Sequence, residues 1–220
     1  MASSEHSAHH AATLEPSHAA DLYLAGSGSF AAEVAEWATG AGWDVRGLIE
    51  LRDTKRVGSS TDGYEIVGIE PPQAGARAVV AAGGSRSAHW SQIASLGWET
   101  ASVVHPSAHI SPTAALAAGC IVAPAAVIGA HTVLREQTLV SRGALIGHHC
   151  RIDAFVSVMP GANIGGHAHI GEGATVGMGA VVVNGAAVGR GATVAAGAVV
   201  LGEVPDGARV QGVPARAYHG

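Results

Sequence analysis

The chain has 220 residues, of which 48% are hydrophobic, 13% charged and only 4% aromatic, with 31 glycines and a net charge of −5. So much apolar character with so little charge excludes a disordered chain, and the net negative charge lacks the basic footprint of proteins that bind nucleic acid or anionic membranes. With few rings to fill a core, the composition favours a repetitive backbone packed closely around small and β-branched side chains.

Residues 1–20 form a polar segment that is predicted to be a disordered, solvated arm. It lacks the basic start and the apolar stretch of a signal peptide. Its histidines are expected to be solvated rather than metal ligands, and they are His6, His9, His10 and His18. No apolar run approaches the roughly 18 residues of a membrane span, and two cysteines are too few for a disulfide framework. We therefore expect a cytoplasmic protein.

Residues 21–101 alternate apolar runs with segments of helical spacing, which predicts a small Rossmann-like parallel α/β domain. The first predicted turn, 26–31, has the pattern G-x-G-x-x-A between a strand and a helix. Such a turn presents backbone N–H groups to a phosphate at the helix N-terminus. Glu50 ends the second predicted strand, where a ribose-binding acid would fall. A turn that serves packing alone is the open alternative.

Residues 102–202 carry an uninterrupted repeat of six residues. Every sixth residue from Val104 to Val200 is Val, Ile or Leu, seventeen positions in all, and the residue two places before each is mostly Ala. This hexapeptide repeat predicts an all-β domain, a parallel β-helix in which three hexapeptides form the three sides of one triangular coil. Neighbouring coils are expected about 4.7–4.9 Å apart.

The repeat also predicts the environment of the cysteines and the end of the β-helix. Cys120 and Cys150 occupy small-residue positions, so we expect both thiols inside the coil as small hydrophobic groups. After Val200 the pattern stops, and 203–220 is predicted to be a departing C-terminal tail.

The order of the two predicted domains and five short motifs resemble one bacterial family. The motifs are GSGSFAAEV, HPSAHISPTA, IGHHC, ANIGG and GVPAR. They are similar to those of the sugar O- and N-acetyltransferases of the sialic-acid and bacillosamine type, over about 21–216. The resemblance implies a left-handed β-helix, acetyl-coenzyme A (acetyl-CoA) as acyl donor, and a nucleotide-activated amino sugar held by the α/β domain. It also implies a homotrimer with sites between subunits, and no metal.

The resemblance implies that the catalytic base is His148, because the family histidine follows an aliphatic position by two residues, as His148 follows Ile146. An imidazole can take a proton from an attacking amine or hydroxyl. Gly166, which the family uses at the thioester, lies one coil further on and should stack on His148, with its N–H as oxyanion donor. The chain departs from the family where His149 replaces a flanking acid in the catalytic set and Ser157 replaces a second, cofactor-contacting histidine.

The remaining site residues are also implied by the resemblance. The acetyl-CoA contacts are Ser157, Gly166, Met178, Asn184, Pro214 and Arg216. The nucleotide-sugar contacts are Gly28, Ser29, Phe30, Glu50, Gly83 and Arg86. Judged from the residues alone, Met178 could be a packing residue, Asn184 a turn former and Arg86 a solvated helix residue.

Two other functions stay open at this point. His131, His149 and His167 follow one another at intervals of one coil and should form one outward column, which could suggest zinc, as in carbonic anhydrases built on the same helix. Those enzymes have a third histidine five residues beyond the second ligand, where this chain has Glu172. A non-catalytic trimeric scaffold is also compatible with an uninterrupted repeat.

Overall fold

A computed structural model describes residues 21–82 and 86–218. The predicted N-terminal arm at 1–20, with its four histidines, lies outside these residues, and so does Gly83.

The first domain contains six strands, two α-helices and one 3₁₀ turn. Their bounds are β1 Asp21–Ala25, α1 Ser29–Gly40, β2 Asp44–Ile49, the 3₁₀ turn Thr54–Arg56, β3 Ser60–Thr61, β4 Tyr64–Val67, β5 Arg77–Val80, α2 Arg86–Ala94 and β6 Glu99–Thr100. The strands form one sheet in the order β3-β4-β2-β1-β5-β6, and only β3 and β4 pair antiparallel. The prediction of a Rossmann-like α/β domain is confirmed.

Seventeen two-residue strands follow, and each ends on one of the predicted aliphatic positions. They are β7 Val103–Val104, β8 His109–Ile110, β9 Ala115–Leu116, β10 Ile121–Val122, β11 Val127–Ile128, β12 Val133–Leu134, β13 Leu139–Val140, β14 Leu145–Ile146, β15 Arg151–Ile152, β16 Ser157–Val158, β17 Asn163–Ile164, β18 His169–Ile170, β19 Thr175–Val176, β20 Val181–Val182, β21 Ala187–Val188, β22 Thr193–Val194 and β23 Val199–Val200. The predicted β-helix is confirmed.

Each strand from β10 to β23 pairs in parallel with the third strand before it, so the β-helix has three faces. Face 1 contains β7, β10, β13, β16, β19 and β22. Face 2 contains β8, β11, β14, β17, β20 and β23. Face 3 contains β9, β12, β15, β18 and β21.

The interior of the β-helix is a stack of aliphatic residues, each placed one coil after the last. Ile128, Ile146 and Ile164 are successive members of one column, and each is at most 2% exposed. Both cysteines are buried and free, as predicted. Burial raises the pKa of Cys120 to about 12 and also raises the pKa of Cys150, so both thiols stay protonated at neutral pH. Neither is therefore a nucleophile.

The end of the β-helix differs from the prediction. Two further strands, β24 Glu203–Val204 on face 3 and β25 Arg209–Gln211 on face 1, continue the coil. They pair Val188 with Val204 and Val194 with Val210, a register two residues shorter than that of the preceding coils. The corner after β23 lacks these two residues, so the six-residue period of the sequence is broken before the last coil. Only then does the chain reverse, into β26 Arg216–Ala217 antiparallel to β25.

One corner residue in every six has a positive φ from Gly119 to Gly197. Eight of these fourteen positions are glycines, and the other six are Ala125, His131, Gln137, His149, Phe155 and His167. A left-handed backbone costs a residue with a Cβ about 1–2 kcal/mol. The histidine column therefore occupies the kind of position at which eight other corners have glycine.

The two domains share a core. Outward residues of face 1, among them Val103, Ile121 and Leu139, pack in one buried cluster with residues of α1 and the sheet. Glu33 of α1 also forms an ion pair with Arg142 of the β-helix.

Arg86, at the start of α2, fastens the domains from the other side. Its side chain is buried and donates hydrogen bonds to the carbonyls of Gln137, Phe155 and Val156 at 3.2, 2.5 and 2.8 Å, and to Ser157 Oγ at 2.8 Å. Burial lowers its pKa to about 10, which leaves the guanidinium charged at neutral pH. Within 21–82 and 86–218 no carboxylate pairs with it, so carbonyl dipoles stabilise the charge.

Replacing Arg86 with alanine is expected to lower the free energy of unfolding by about 3 kcal/mol, because buried acceptors lose their donor. Urea denaturation measures this change. The matched control is Arg77→Ala, which removes an exposed guanidinium 3.8 Å from Glu99 and should change stability by less than about 0.5 kcal/mol. Equal effects of the two substitutions would contradict the fastening role.

Candidate active site

His148 lies at the corner between faces 2 and 3, in the turn from β14 to β15, and its side chain is exposed. One coil further on, Gly166 lies directly against the ring. A Cβ on Gly166 would be only 2.8 Å from His148 Nε2, so any other residue here would displace the imidazole from this position. The structure thus brings together the pair that the resemblance and the coil arithmetic both indicate.

His149 occupies the position where the family has an acid. Its Nδ1 lies 3.1 Å from Nδ1 of His148, within hydrogen-bond distance. Desolvation lowers the pKa of His149, and the neighbouring imidazoles of His131, His167 and His148 lower it further. At neutral pH His149 is therefore uncharged, and it can accept the proton of His148 Nδ1–H. In that arrangement Nε2 of His148 carries the free lone pair.

The N–H of Gly166 is already engaged, unlike the free oxyanion donor that was expected. It donates to Oδ1 of Asn184, one coil further on, at 3.1 Å. Asn184 is exposed, so its side chain has room to rotate away from the amide. The side chain of Asn184 therefore occupies the Gly166 N–H that was expected to bind the oxyanion.

The roles expected of Ser157 and Arg86 also differ from what the structure shows. Ser157 is 8% exposed, and its hydroxyl accepts from Arg86 at the domain interface. Arg86 donates to four acceptors of the β-helix and is only 6% exposed. Both side chains fasten the domains together, and this contact leaves neither free for acetyl-CoA or a nucleotide sugar.

The other residues implied as acetyl-CoA contacts lie apart from His148. Met178 is 57% exposed and lies at the opposite edge of face 2, in the corner between faces 1 and 2. Pro214 and Arg216 lie in the reversed tail, where a groove of about 540 Å³ is lined by residues of β23 to β26, Arg216 included. Pro214 and Arg216 thus lie beside β23, the most C-terminal strand of face 2.

A second candidate site is a cavity of about 340 Å³ at the carboxyl ends of β1, β2 and β5. Parallel α/β sheets bind ligands at this edge. Gly28 and Phe30 of the first turn line the cavity, as predicted for a phosphate-binding turn. Gly26 has a φ of +135°, and a Cβ there would be 2.6 Å from the carbonyl oxygen of Ala81, so this turn requires glycine. Ser29 follows at the first position of α1.

Glu50 lines the cavity, but its carboxylate is committed to the protein. Oε1 accepts from the amides of Arg52 and Asp53 at 2.8 and 3.0 Å, and Oε2 accepts from Ser27 Oγ. Burial alone would raise the pKa of Glu50, but these hydrogen bonds and the Arg56 guanidinium lower it to about 2. With its acceptor positions filled, Glu50 shapes the turn rather than offering a ribose contact.

Sequence reasoning missed the basic groups of this cavity. Arg56 donates to Ser27 O at 2.9 Å and to Thr61 Oγ1 at 3.0 Å, so it is held over the first turn. Arg52 lies 3.2 Å from Nε2 of His89, which lines the cavity and whose Nδ1 has no partner among the described residues. Burial and then Arg52 lower the pKa of His89, so the ring is neutral. The sequence signal for these groups was the presence of two arginines, Arg52 and Arg56, shortly after the end of β2.

The ligand set of the zinc alternative is not assembled. In the described part of the chain, the histidines whose ligand atoms lie within 4.8 Å of one another are His148, His149 and His167. Glu172 instead lines a groove on face 3 with Asp153 and Arg190. The carbonic-anhydrase-like set of His131, His167 and Glu172 is therefore not formed.

The sequence matches one family model. Residues 143–177 match the model described as bacterial transferase hexapeptide (six repeats). No curated protein sequence matches the chain.

Solved structures match nearly the whole chain. The acetyltransferase domain of PglB from Neisseria gonorrhoeae FA1090, in complex with acetyl coenzyme A, is 31% identical with a TM-score of 0.81, and the match covers 91% of this chain and 100% of that chain. The chain belongs to the hexapeptide-repeat sugar acetyltransferases. Both of its domains are thus those of an acetyltransferase.

Other solved structures show the same architecture. A histidine-to-alanine mutant of GDP-perosamine N-acetyltransferase from Caulobacter crescentus, in complex with CoA and GDP-perosamine, is 27% identical with a TM-score of 0.85, over 91% of this acetyltransferase and 97% of that chain. WeeI from Acinetobacter baumannii AYE shares the fold at 24% identity and a TM-score of 0.81, over 90% and 99% of the two chains. Within 21–82 and 86–218 of this acetyltransferase, no helix has the length and apolar character needed to cross a bilayer.

Replacing Glu50 with glutamine is expected to flatten the pH dependence of stability. The pKa of Glu50 is about 2 against an ordinary 4.5, so the ionised carboxylate stabilises the fold above pH 4.5. That contribution is lost as the pH falls from 4.5 towards 2 and amounts to about 3 kcal/mol in full. Urea denaturation at pH 7, 4 and 3 should therefore show the two stabilities converging.

The matched control for this prediction is Glu65→Gln, which changes an exposed carboxylate of β4. Its free energy of unfolding should run parallel to that of the wild type over the same pH values. A constant gap between wild type and Glu50→Gln would contradict the assigned contacts of Glu50.

Proposed function

We propose that this acetyltransferase moves the acetyl group of acetyl-CoA to the amine of a nucleotide-linked amino sugar, with His148 as general base. The observation that carries the proposal is the corner at His148, where Nε2 lies over Gly166 and Nδ1 contacts His149. The resemblance to an acetyltransferase in complex with acetyl coenzyme A, and to one in complex with CoA and GDP-perosamine, supports the choice of substrates.

In the proposed reaction the amine of the sugar attacks the thioester carbonyl while His148 Nε2 takes a proton from the nitrogen. A C–N bond forms, and the carbonyl oxygen becomes an oxyanion. Collapse of the tetrahedral intermediate breaks the C–S bond, and the imidazolium returns its proton to the leaving thiolate. Because His149 accepts from Nδ1–H, the ring presents the correct tautomer for the first step.

Gly166 has two parts in this proposal. Its missing side chain makes room for the ring, and its N–H donates to the oxyanion once Asn184 rotates away. An oxyanion donor is typically worth about 2.7–4 kcal/mol of transition-state stabilisation. The exchange of Asn184 for the oxyanion makes the donor available during the reaction.

The cavity of the α/β domain is proposed to hold the nucleotide. Arg52 and Arg56 supply positive charge beside the N-terminus of α1, where a pyrophosphate is stabilised by free backbone N–H groups. His89 lines the same cavity, and its ring contacts Arg52 through Nε2.

We also propose a homotrimer in the cytoplasm. The α/β domain packs on face 1, whereas His148 lies at the opposite corner of the triangle, so the cavity and His148 of one chain face different sides. A neighbouring subunit would bring its own cavity to this corner. Face 2 is apolar enough for such packing, with outward Val127, Leu145, Val181 and Val199. Two free cysteines suit a reducing compartment.

Replacing His148 with alanine is expected to lower kcat by about 10²–10⁴-fold, the usual contribution of a general base. Thiol release with a panel of nucleotide amino sugars measures turnover, and calorimetry should show that acetyl-CoA still binds. His169→Ala, at an exposed position of β18 on face 3, should leave turnover unchanged. Full turnover by His148→Ala would contradict the mechanism, and a wild type that does not bind acetyl-CoA would favour the scaffold.

Replacing His149 with glutamate restores the family's acid and tests how His148 is positioned. A carboxylate beside the imidazole favours its protonated form, so the acid limb of the kcat/KM profile should move to higher pH. His149→Gly keeps the left-handed corner without strain. It should lower kcat without moving the acid limb of the kcat/KM profile to higher pH. A pH profile identical in wild type and His149→Glu would show that residue 149 does not act through His148.

A further inference from the structure

Three exposed imidazoles converge at the corner that contains the proposed base. The ring of His149 is stacked on that of His167 with centroids 4.9 Å apart, and the ring of His148 stands nearly perpendicular to both, at 5.2 and 5.0 Å. One nitrogen from each ring lies within 4.8 Å of the other two. The proposed acetyltransfer mechanism uses His148 and His149 and gives no task to His167.

Two of these three histidines have a strained, left-handed backbone. His149 and His167 have φ values of +56° and +61°, at corner positions where the next coil has Gly185. Left-handed residues with a side chain persist where the surroundings over-determine them, and they concentrate at ligand sites. The two left-handed corners aim two successive rings at the space beside His148.

The spacing of the nitrogens fits a tetrahedral metal ion. Zinc binds imidazole nitrogen at about 2.0–2.1 Å in a tetrahedron, which sets neighbouring ligand atoms about 3.3 Å apart. The Nδ1 atoms of His148 and His149 are already 3.1 Å apart. His167 is exposed, so a change of its side-chain torsions can close the remaining gap. Three imidazoles and an open fourth position are a ligand set that suits zinc.

We propose that His148, His149 and His167 bind one Zn²⁺ ion, and that this ion is a reversible inhibitor of acetyl transfer. An imidazole bound to a metal through one nitrogen carries its proton on the other. Whichever nitrogen of His148 binds, the ring therefore loses the lone pair with which it takes the proton of the amine. The inhibitory part rests on the proposed function, whereas the metal site does not.

Direct binding tests the site without reference to activity. The background is the full chain with His6, His9, His10 and His18 replaced by alanine, which removes other imidazoles that could take up metal. Calorimetric titration of the metal-free protein with ZnCl₂ should give one ion per chain, and Co²⁺ should give the visible spectrum of a tetrahedral site. His167→Asn should weaken zinc binding by roughly tenfold or more, at least as much as losing a supporting group does.

The matched control is His131→Asn, which changes the same column at the same kind of left-handed corner but lies outside the group of three. It should bind zinc like the background protein. Absence of stoichiometric binding, or equal losses in His167→Asn and His131→Asn, would overturn the site and leave the acetyltransferase proposal standing.

Acetyl transfer, followed by chromatography of the acetylated sugar so that zinc does not disturb a thiol reagent, tests inhibition. Turnover should fall at least tenfold on saturation with zinc and return when a chelator is added. His167→Asn should keep its own zinc-free rate at that zinc concentration. If zinc binds and turnover persists, inhibition is overturned, and the metal-free His148→Ala variant then shows separately whether His148 is the base.

Discussion

The stacking of one coil on the next, in a register of three hexapeptides, determines which side chains of this protein can meet. Parallel pairing carries each residue onto its counterpart one coil on, so a column of the structure is an arithmetic series in the sequence. The contacts of the site follow from this constraint. His148 meets Gly166, whose amide meets Asn184, and His149 stacks on His167. The fixed length of the repeat thus brings residues that are one coil apart in the sequence into contact at the site.

The same constraint explains why the site contains backbone conformations that most sequences avoid. From Gly119 to Gly197 every corner places one residue in six at a positive φ, and glycine adopts this conformation without strain. Where a histidine occupies such a corner, the turn geometry is unchanged and the fold bears the conformational cost. Its ring is then projected outward in a fixed direction, which a flexible loop could not achieve. The left-handed corners therefore lower the stability of the fold somewhat, and they fix the orientation of His149 and His167.

The relation between the two domains depends on their shared apolar core and on a buried cation, Arg86, whose place at the interface the sequence does not reveal. The Arg86 guanidinium reaches three carbonyls and one hydroxyl of the β-helix, and it sets the α/β domain on face 1. The cavity lined by Glu50 and Arg56 thus belongs to a domain on face 1, whereas His148 lies at the opposite corner of the triangle.

The fold was predictable because its determinants are periodic, whereas much of the site depends on contacts between distant residues. The aliphatic series to Val200 specified seventeen strands, and a missing pair of residues after it hid the last coil. Nothing in the sequence around Glu50 reveals that Ser27 and two amides fill its acceptor positions, or that Asn184 engages the Gly166 amide. Ser157 and Arg86 likewise gained their roles only when the domains met. Such pairings follow from three-dimensional packing and leave no local signal.

Beyond Asn184 the interior of the β-helix becomes uniform. Its aliphatic positions are all Val, from Val188 to Val210, and Ala186, Ala192 and Ala198 fill the small-residue positions. The site and the domain interface lie on the N-terminal side of this segment. The same two side-chain types thus fill the interior of the last coils, while the groove that contains Arg216 is formed on their outer surface by residues of β23 to β26.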